Sequence, residues 1–80
     1  MPEARTQDLR TLQKTIGLNI RRLRTNRRLP LTKLSRQTGI SVKRLDYYEL
    51  GKYQMELEAL YRLAVALEVD VRDLFSGKQT

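Results

Sequence analysis

Residues 31–51 read LTKLSRQTGISVKRLDYYELG, and this stretch decides the fold of the chain. Two short segments with apolar residues at helical spacing lie on either side of a single glycine, Gly39. Two helices that are joined so closely must cross steeply, and the residue at the corner must tolerate a positive φ, as glycine does. Ser35 is small at the point where the two helices would touch. The pattern therefore predicts a helix-turn-helix.

The second helix of this motif, over about residues 41–50, has a polar and basic outward face. Ser41 is expected to cap its N-terminus through the hydroxyl group, and Gly51 is expected to end it. Leu45 and Tyr48 would hold the helix on the core. The outward positions are Ser41, Val42, Lys43, Arg44, Asp46 and Tyr47. A helix with such a face can enter the major groove of DNA.

The positive charge of the chain is concentrated in and just before this motif. The 80 residues carry a net charge of +7. Residues 21–52 hold ten basic and two acidic side chains, a net charge of +8, whereas residues 53–80 have a net charge of −2. This uneven distribution predicts a polyanionic partner, bound in part through the release of counterions. Arg10 and Arg72 lie outside the basic segment and are interpreted as solvated charges.

The composition argues against several other kinds of site. The chain has neither cysteine nor histidine, so we expect no disulfide and no metal site. It also lacks clustered carboxylates and a glycine-rich phosphate loop, so we expect no catalytic residues, no cofactor and no enzyme activity. No apolar run approaches membrane-spanning length, and the first residues, MPEARTQDLR, lack a signal-peptide core. We therefore expect a cytoplasmic protein without a membrane partner or a small-molecule ligand.

Apolar periodicity predicts further helices on either side of the motif. A first helix is predicted over 6–27, with its core side formed by Leu9, Leu12, Ile16, Ile20 and Leu23. Gly17 lies inside it and either permits a close helix contact or marks a break. A fourth helix is predicted over 56–67, with Leu57, Leu60, Leu63, Ala64 and Leu67 as its apolar residues. A short fifth helix is predicted over 71–75, and together these elements make an all-α fold of five helices.

Four blocks of sequence, in this order, resemble the Cro/phage-repressor class of helix-turn-helix proteins, the XRE family. They are IGLNIRRLR, LTKLSRQTGIS, LDYYELGK and LEALYRLAVALEVDVRDLF. The resemblance implies a lambda-repressor-like DNA-binding domain over residues 16–75. Residues 1–15 would form an N-terminal extension, helical in its second half, and residues 76–80 a flexible tail. Within this class, the chain resembles both phage Cro-like repressors and the controller proteins of restriction–modification systems.

The resemblance also implies roles for individual residues in DNA binding. The base-reading positions of the family correspond to Val42, Lys43, Asp46 and Tyr47, and its DNA-backbone contacts correspond to Ser41, Arg44, Lys52 and Tyr53. Arg24 corresponds to an arginine that pairs with a glutamate late in the recognition helix, here Glu49, while it keeps donors for a phosphate. Leu31 stands where many relatives have a phosphate-binding glutamine, so we expect Lys33 or Arg36 to bind that phosphate instead. The structural positions of the motif are Arg24, Glu49, Gly39, Ser35 and Gly51.

A single recognition helix reads only a few base pairs, so we expect a homodimer. Its two recognition helices would enter successive major grooves, about 34 Å apart, on a pseudo-palindromic operator. The expected interface residues are Val69, Val71, Leu74 and Phe75. Two alternatives are an antitoxin that uses residues 1–15 to block a toxin, and a protein-binding adaptor that has lost DNA binding. The adaptor would have a neutral or acidic third helix.

Overall fold

The computed structural model of the chain describes residues 6–76, with side chains from residue 9 onward, and the described residues form four α-helices and one short turn of 3₁₀-helix. The α-helices are α1 (Thr6–Asn26), α2 (Leu31–Thr38), α3 (Val42–Glu49) and α4 (Leu57–Leu67). The predicted all-α class is confirmed for these residues. Other than Ser76, the predicted tail lies outside them, as do residues 1–5 of the predicted extension.

The short fifth helix predicted over 71–75 is a 3₁₀-helix over Val71–Leu74, so the count of five helices in an all-α fold is not confirmed. Its hydrogen bonds run from the N–H of Asp73 to the carbonyl of Asp70, at 2.8 Å, and from the N–H of Phe75 to the carbonyl of Arg72, at 3.0 Å. Both bonds span three residues, the pattern of the tighter helix. Asp70 caps this 3₁₀ turn, as the sequence predicts.

All four α-helices and the 3₁₀ turn contribute to one core. Its buried apolar residues are Ile16, Ile20, Leu34, Ile40, Leu45, Tyr48, Ala59, Leu60, Leu63, Ala64, Leu67 and Leu74. Among the described residues, none of the helices combines the length and the apolar character needed to cross a membrane.

Three leucines that contribute to the apolar periodicity of the predicted helices are exposed. Leu9 and Leu12, in the first turns of α1, are 49% and 36% exposed, and Leu57, at the start of α4, is 76% exposed. Leu9 and Leu12 line an open recess together with Met55 and Phe75. Leu60 of α4 also lines this recess, but among the described residues these neighbours leave Leu9 and Leu12 exposed.

Gly17 allows α1 to pack directly on the backbone of α3. A Cβ atom at this position would lie 2.4 Å from the carbonyl oxygen of Tyr48 and 2.6 Å from that of Glu49. Real Cβ atoms do not approach carbonyl oxygens so closely, so only glycine fits without movement of a helix. Helix α1 continues unbroken through Gly17. Of the two interpretations of this glycine, the close helix contact is therefore confirmed.

A buried asparagine of α1 fastens the C-terminal turn to the core. Asn19 is 3% exposed, and its side-chain amide donates to the carbonyls of Leu74, at 2.9 Å, and Ser76, at 2.7 Å. Its amide oxygen accepts a 3.0 Å hydrogen bond from Arg22. The Leu74 side chain is fully buried within the monomer. Leu74 was expected at a dimer interface, but the structure places it in the core.

Candidate nucleic-acid interface

The corner between α2 and α3 has the geometry that its sequence predicts. Gly39 has a φ of +77°, and its N–H donates to the carbonyl of Ser35 at 2.8 Å. The hydroxyl of Ser41 accepts a hydrogen bond from the backbone N–H of Arg44 at 3.1 Å, so the predicted N-cap is confirmed. Gly51, with a φ of +71°, follows the end of α3. These two turns fix where α3 begins and ends.

Helix α3 separates a buried side from an exposed side. Leu45, Tyr48 and Glu49 are buried, the last because it faces α1. The exposed side brings together most of the residues expected to contact DNA. Ser41, Val42, Lys43, Arg44 and Asp46 are exposed, and Tyr47 is half-buried. The scaffold thus presents a continuous polar and basic surface of one helix to solvent.

Arg24 and Glu49 form the predicted ion pair between α1 and α3. The guanidinium donates from Nε to Oε2 at 2.6 Å and from Nη2 to Oε1 at 3.1 Å, a bidentate arrangement. A third donor, Nη1, bonds the carbonyl of Leu29 at 2.9 Å, so the loop before α2 is fixed as well. The hydrogen bond to Glu49 raises the pKa of Arg24, against the opposing effect of burial, and the guanidinium stays charged. Three of its five N–H groups are used, which leaves two for a ligand.

Tyr53, in the loop after α3, packs against this helix. Its ring centre lies 5.3 Å from that of Tyr47 and 6.0 Å from that of Tyr48, distances typical of aromatic pairs. The guanidinium carbon of Arg44 lies 5.6 Å from the ring centre of Tyr53, in cation–π range. The sequence predicted a DNA-backbone contact for Tyr53 but not this aromatic cluster. The stacking restricts the conformations of Arg44 and Tyr47, so both are partly ordered before any ligand arrives.

The remaining residues expected at the DNA backbone flank α3. Lys33 and Arg36 are exposed on α2, and Lys52 is exposed directly after Gly51. Among the described side chains, none of these three makes an ion pair or a hydrogen bond, so their charges are available to a ligand. Within residues 6–76 the structure contains no cluster of acidic side chains that could hold a metal ion.

A second exposed surface, on α4, was not recognised from the sequence. Leu57, Tyr61 and Val65 are 76%, 63% and 58% exposed, and their spacing of four residues places them in one row. We call these three residues the α4 apolar row. The signal in the sequence that could have revealed this surface is that α4 has apolar residues on more than one side. The core covers only the side formed by Leu60, Leu63, Ala64 and Leu67.

The chain is similar to known regulators in sequence and in structure. A model of the Cro/C1-type HTH DNA-binding domain matches residues 19–79. A protein named as an uncharacterized transcriptional regulator in the ATPase CF(0) region of Rhodospirillum rubrum is 32% identical over 76 residues, which cover 95% of this chain and 70% of that protein.

Two solved structures also resemble this fold. The restriction-modification controller protein C.AhdI from Aeromonas hydrophila superposes with a TM-score of 0.76 at 29% identity, and the match covers 86% of this chain and 98% of that one. An HTH_3 family transcriptional regulator from Vibrio cholerae superposes with a TM-score of 0.79 at 25% identity. That match covers 84% of this chain but only 38% of the Vibrio chain.

Proposed function

The chain belongs to the Cro/C1-type helix-turn-helix DNA-binding family of transcriptional regulators, and from this premise we propose that it binds a pseudo-palindromic operator as a homodimer with α3 in the major groove. The exposed side of α3 is the observation that carries this proposal. It is basic, it is free of the core, and it is held by fixed contacts at both ends. An α-helix of this kind fits the major groove, where each base pair shows a distinct pattern of donors and acceptors.

We assign base reading to the middle of the exposed side of α3. Lys43 would donate to guanine, and Val42 would contact a thymine methyl group. Asp46 would accept from a cytosine amino group or orient a neighbouring cation, and Tyr47 would lie along the groove wall. Arg44 is assigned to the DNA backbone, together with Tyr53, whose ring it contacts. The flanking residues Ser41, Lys33, Arg36, Lys52, Tyr53 and the free donors of Arg24 would contact phosphates.

Replacing Lys43 with alanine should weaken binding to the preferred operator by about 1–3 kcal/mol, because the variant cannot donate to a base. Replacing Lys52 should weaken binding to all sequences alike, because a phosphate contact carries no sequence information. The operator would first be selected from a randomised duplex library with the wild-type protein. Affinities for this operator and for a scrambled duplex then separate the two effects. Failure of the wild type to enrich any sequence would refute the proposed function, and an unchanged preference in Lys43→Ala would refute the role of Lys43.

The α4 apolar row is the best candidate for the dimer interface. Three large apolar side chains form one contiguous apolar patch that is exposed to solvent. Such patches commonly mark interfaces between proteins. Phe75 is 40% exposed and lines the recess beside Leu9 and Leu12, apart from the α4 apolar row, and it is kept as a separate candidate interface residue. Val69 and Val71 are half-buried against the core and are assigned to the edge of the interface. Around a two-fold axis each row would contact its own copy.

Replacing Leu57 with glutamate should raise the dissociation constant of the dimer at least tenfold. A symmetric interface would have to bury two unpaired carboxylates, which is costly. The monomer should still fold, because an acidic residue in the first turn of a helix is favourable. Analytical ultracentrifugation measures the effect, with Leu18→Glu as the control at another exposed leucine, 64% exposed on α1. Equal dissociation constants for Leu57→Glu and the wild type would show that the interface lies elsewhere.

Within the family, we favour a controller protein of a restriction–modification system. The observation in its support is that the similarity extends over 98% of the C.AhdI chain. A phage Cro-like repressor and an antitoxin are the alternatives. An antitoxin would use residues 1–15 to block a toxin. Of these residues, 6–15 are part of the continuous helix α1. The adaptor is disfavoured because the motif and its flanks are strongly basic. A methyltransferase and endonuclease gene pair beside this gene would support the controller, and a toxin gene would support the antitoxin.

A further inference from the structure

Three cations on α1 take no part in the helix-turn-helix contacts described above. Arg10, Lys14 and Arg21 are all exposed, and their intervals of four and seven residues place them on one side of the helix. We call them the α1 basic row. Among the described side chains, none of the three makes an ion pair or a hydrogen bond. Like charges four residues apart, such as Arg10 and Lys14, slightly destabilise an isolated helix, so these two charges do not stabilise α1 by themselves.

Other arginines of the domain are neutralised by acidic partners, in contrast to the row. Their ion pairs are Arg27 with Glu68 at 3.0 Å, Arg62 with Glu58 at 2.6 Å, and Arg72 with Asp70 at 3.2 Å. All three acidic partners lie in the C-terminal part of the chain, on or after α4. Among the side chains from residue 9 onward, no acidic group pairs with the row, and its positive potential favours an anionic ligand.

The α1 basic row adjoins the surface assigned to DNA. Gly51 packs against Lys14 so closely that a Cβ on this glycine would lie 2.9 Å from the Lys14 Cα. Lys52, which is assigned to a phosphate, is the next residue. One turn further along α1, Gly17 lies against the last turn of α3. Gly17 lies on the same side of α1 as the row, so the end of α3 lies between Lys14 and Arg21, with Arg10 and Lys14 on one side of it and Arg21 on the other.

We propose that the α1 basic row binds DNA-backbone phosphates outside the base pairs that α3 reads, and so enlarges the footprint of each protomer. This inference rests on the proposed function. With a rise of 1.5 Å per residue, Arg10 and Arg21 lie about 16 Å apart along the helix. Each DNA strand has a phosphate every 3.4 Å or so along the duplex axis, so cations at the two ends of this span would face different phosphates. The contacts would add affinity without adding sequence preference.

The test compares the wild type with a triple variant, Arg10→Gln, Lys14→Gln and Arg21→Gln. Affinity is measured across a range of salt concentrations, both for the selected operator within long flanks and for a scrambled duplex of the same length. For each phosphate that the variant no longer neutralises, the slope of log K against log salt should become shallower by about 0.9 per protomer. The ratio of the two affinities at a fixed salt concentration should stay the same. Ethylation interference should show that the phosphates bound by the wild type alone lie outside the base pairs that α3 contacts.

Arg72→Gln is the matched control, because it removes an exposed arginine that already has an acidic partner, and its salt slope should equal that of the wild type. Thermal melting checks that all variants fold. A triple variant with the wild-type slope would overturn the proposal. The row, with the exposed Leu18 nearby, would then be a candidate surface for an acidic protein partner. If the wild type bound no duplex at all, the proposed function would fail, and this inference with it.

Discussion

Replacing Gly17 with alanine is expected to lower the free energy of unfolding by roughly 1–3 kcal/mol, in the range for overpacked interiors. The added methyl group would meet two backbone carbonyl oxygens, those of Tyr48 and Glu49, at less than 3 Å. A flexible side chain could rotate away from such a clash, but a helix backbone cannot. Helices α1 and α3 would have to separate, and this would loosen the core around Ile20 and Leu45. Because a domain of this size is stable by only about 4–12 kcal/mol, this destabilisation is a large fraction of the total.

The sign of the change in the free energy of unfolding distinguishes a closely packed glycine from an exposed one. At an exposed helix position, replacing glycine with alanine stabilises by up to ~1 kcal/mol, because alanine has the higher helix propensity. Urea unfolding followed by circular dichroism measures the change, with Leu18→Ala as the control at the next, exposed position. A Gly17→Ala protein as stable as the wild type, or more stable, would mean that the helices do not pack so closely. DNA affinity should fall as well, because α3 would shift relative to the backbone contacts on its flanks.

Local chemistry explains why the motif itself could be predicted from the sequence. Gly39, Ser41 and Gly51 each act within a few residues of their own position, through a positive φ or a capping hydrogen bond. Such signals need no knowledge of the tertiary fold. The pairing of Arg24 with Glu49 is different, because 25 residues separate the two. It was implied by the family resemblance, and periodicity alone would not have revealed it.

The predictions that failed depended on which surfaces the fold covers. Periodicity shows that residues share a side of a helix, but it does not show whether that side is buried. Leu57 has the same spacing as the core residues of α4, yet it belongs to the α4 apolar row. Leu74 was among the residues expected at the dimer interface. Instead, two hydrogen bonds from Asn19 hold the C-terminal turn on α1, and the Leu74 side chain is buried there.

Two contacts between α1 and α3 explain how so small a domain can hold α3 rigidly. Gly17 lets the backbones of the two helices touch, and the Arg24–Glu49 pair links the same two helices two turns further along α1. The first contact is steric and the second is electrostatic. Residues on the exposed side of α3 are free to differ among proteins with this fold, because neither contact uses them. The residues that fix α3 on α1 are therefore different from the residues that are proposed to contact DNA.

Replacing Glu49 with alanine is expected to cost about 3–5 kcal/mol, which would leave the domain close to unfolding at ordinary temperatures. The side chains of Arg24 and Glu49 are only 14% and 5% exposed, so removal of the carboxylate leaves a guanidinium that is largely buried without its counterion. Glu49→Gln should cost less, because the amide oxygen can still accept one hydrogen bond from Arg24. DNA affinity should fall in both variants, since α3 is then no longer linked as firmly to α1 and to Leu29.

Glu58→Ala is the matched control for the Glu49 variants. The Glu58–Arg62 pair has the same 2.6 Å separation as the shorter hydrogen bond of the Arg24–Glu49 pair, but its side chains are 70% and 48% exposed. Exposed pairs contribute about 0–1 kcal/mol, so burial is the main difference between the two experiments. In a double-mutant cycle, Arg24→Met with Glu49→Leu should cost less than the sum of the single changes, because neither charge is left unpaired. Equal destabilisation by Glu49→Ala and Glu58→Ala would show that the pair is solvated, and the link between α1 and α3 would then rest on Gly17 alone.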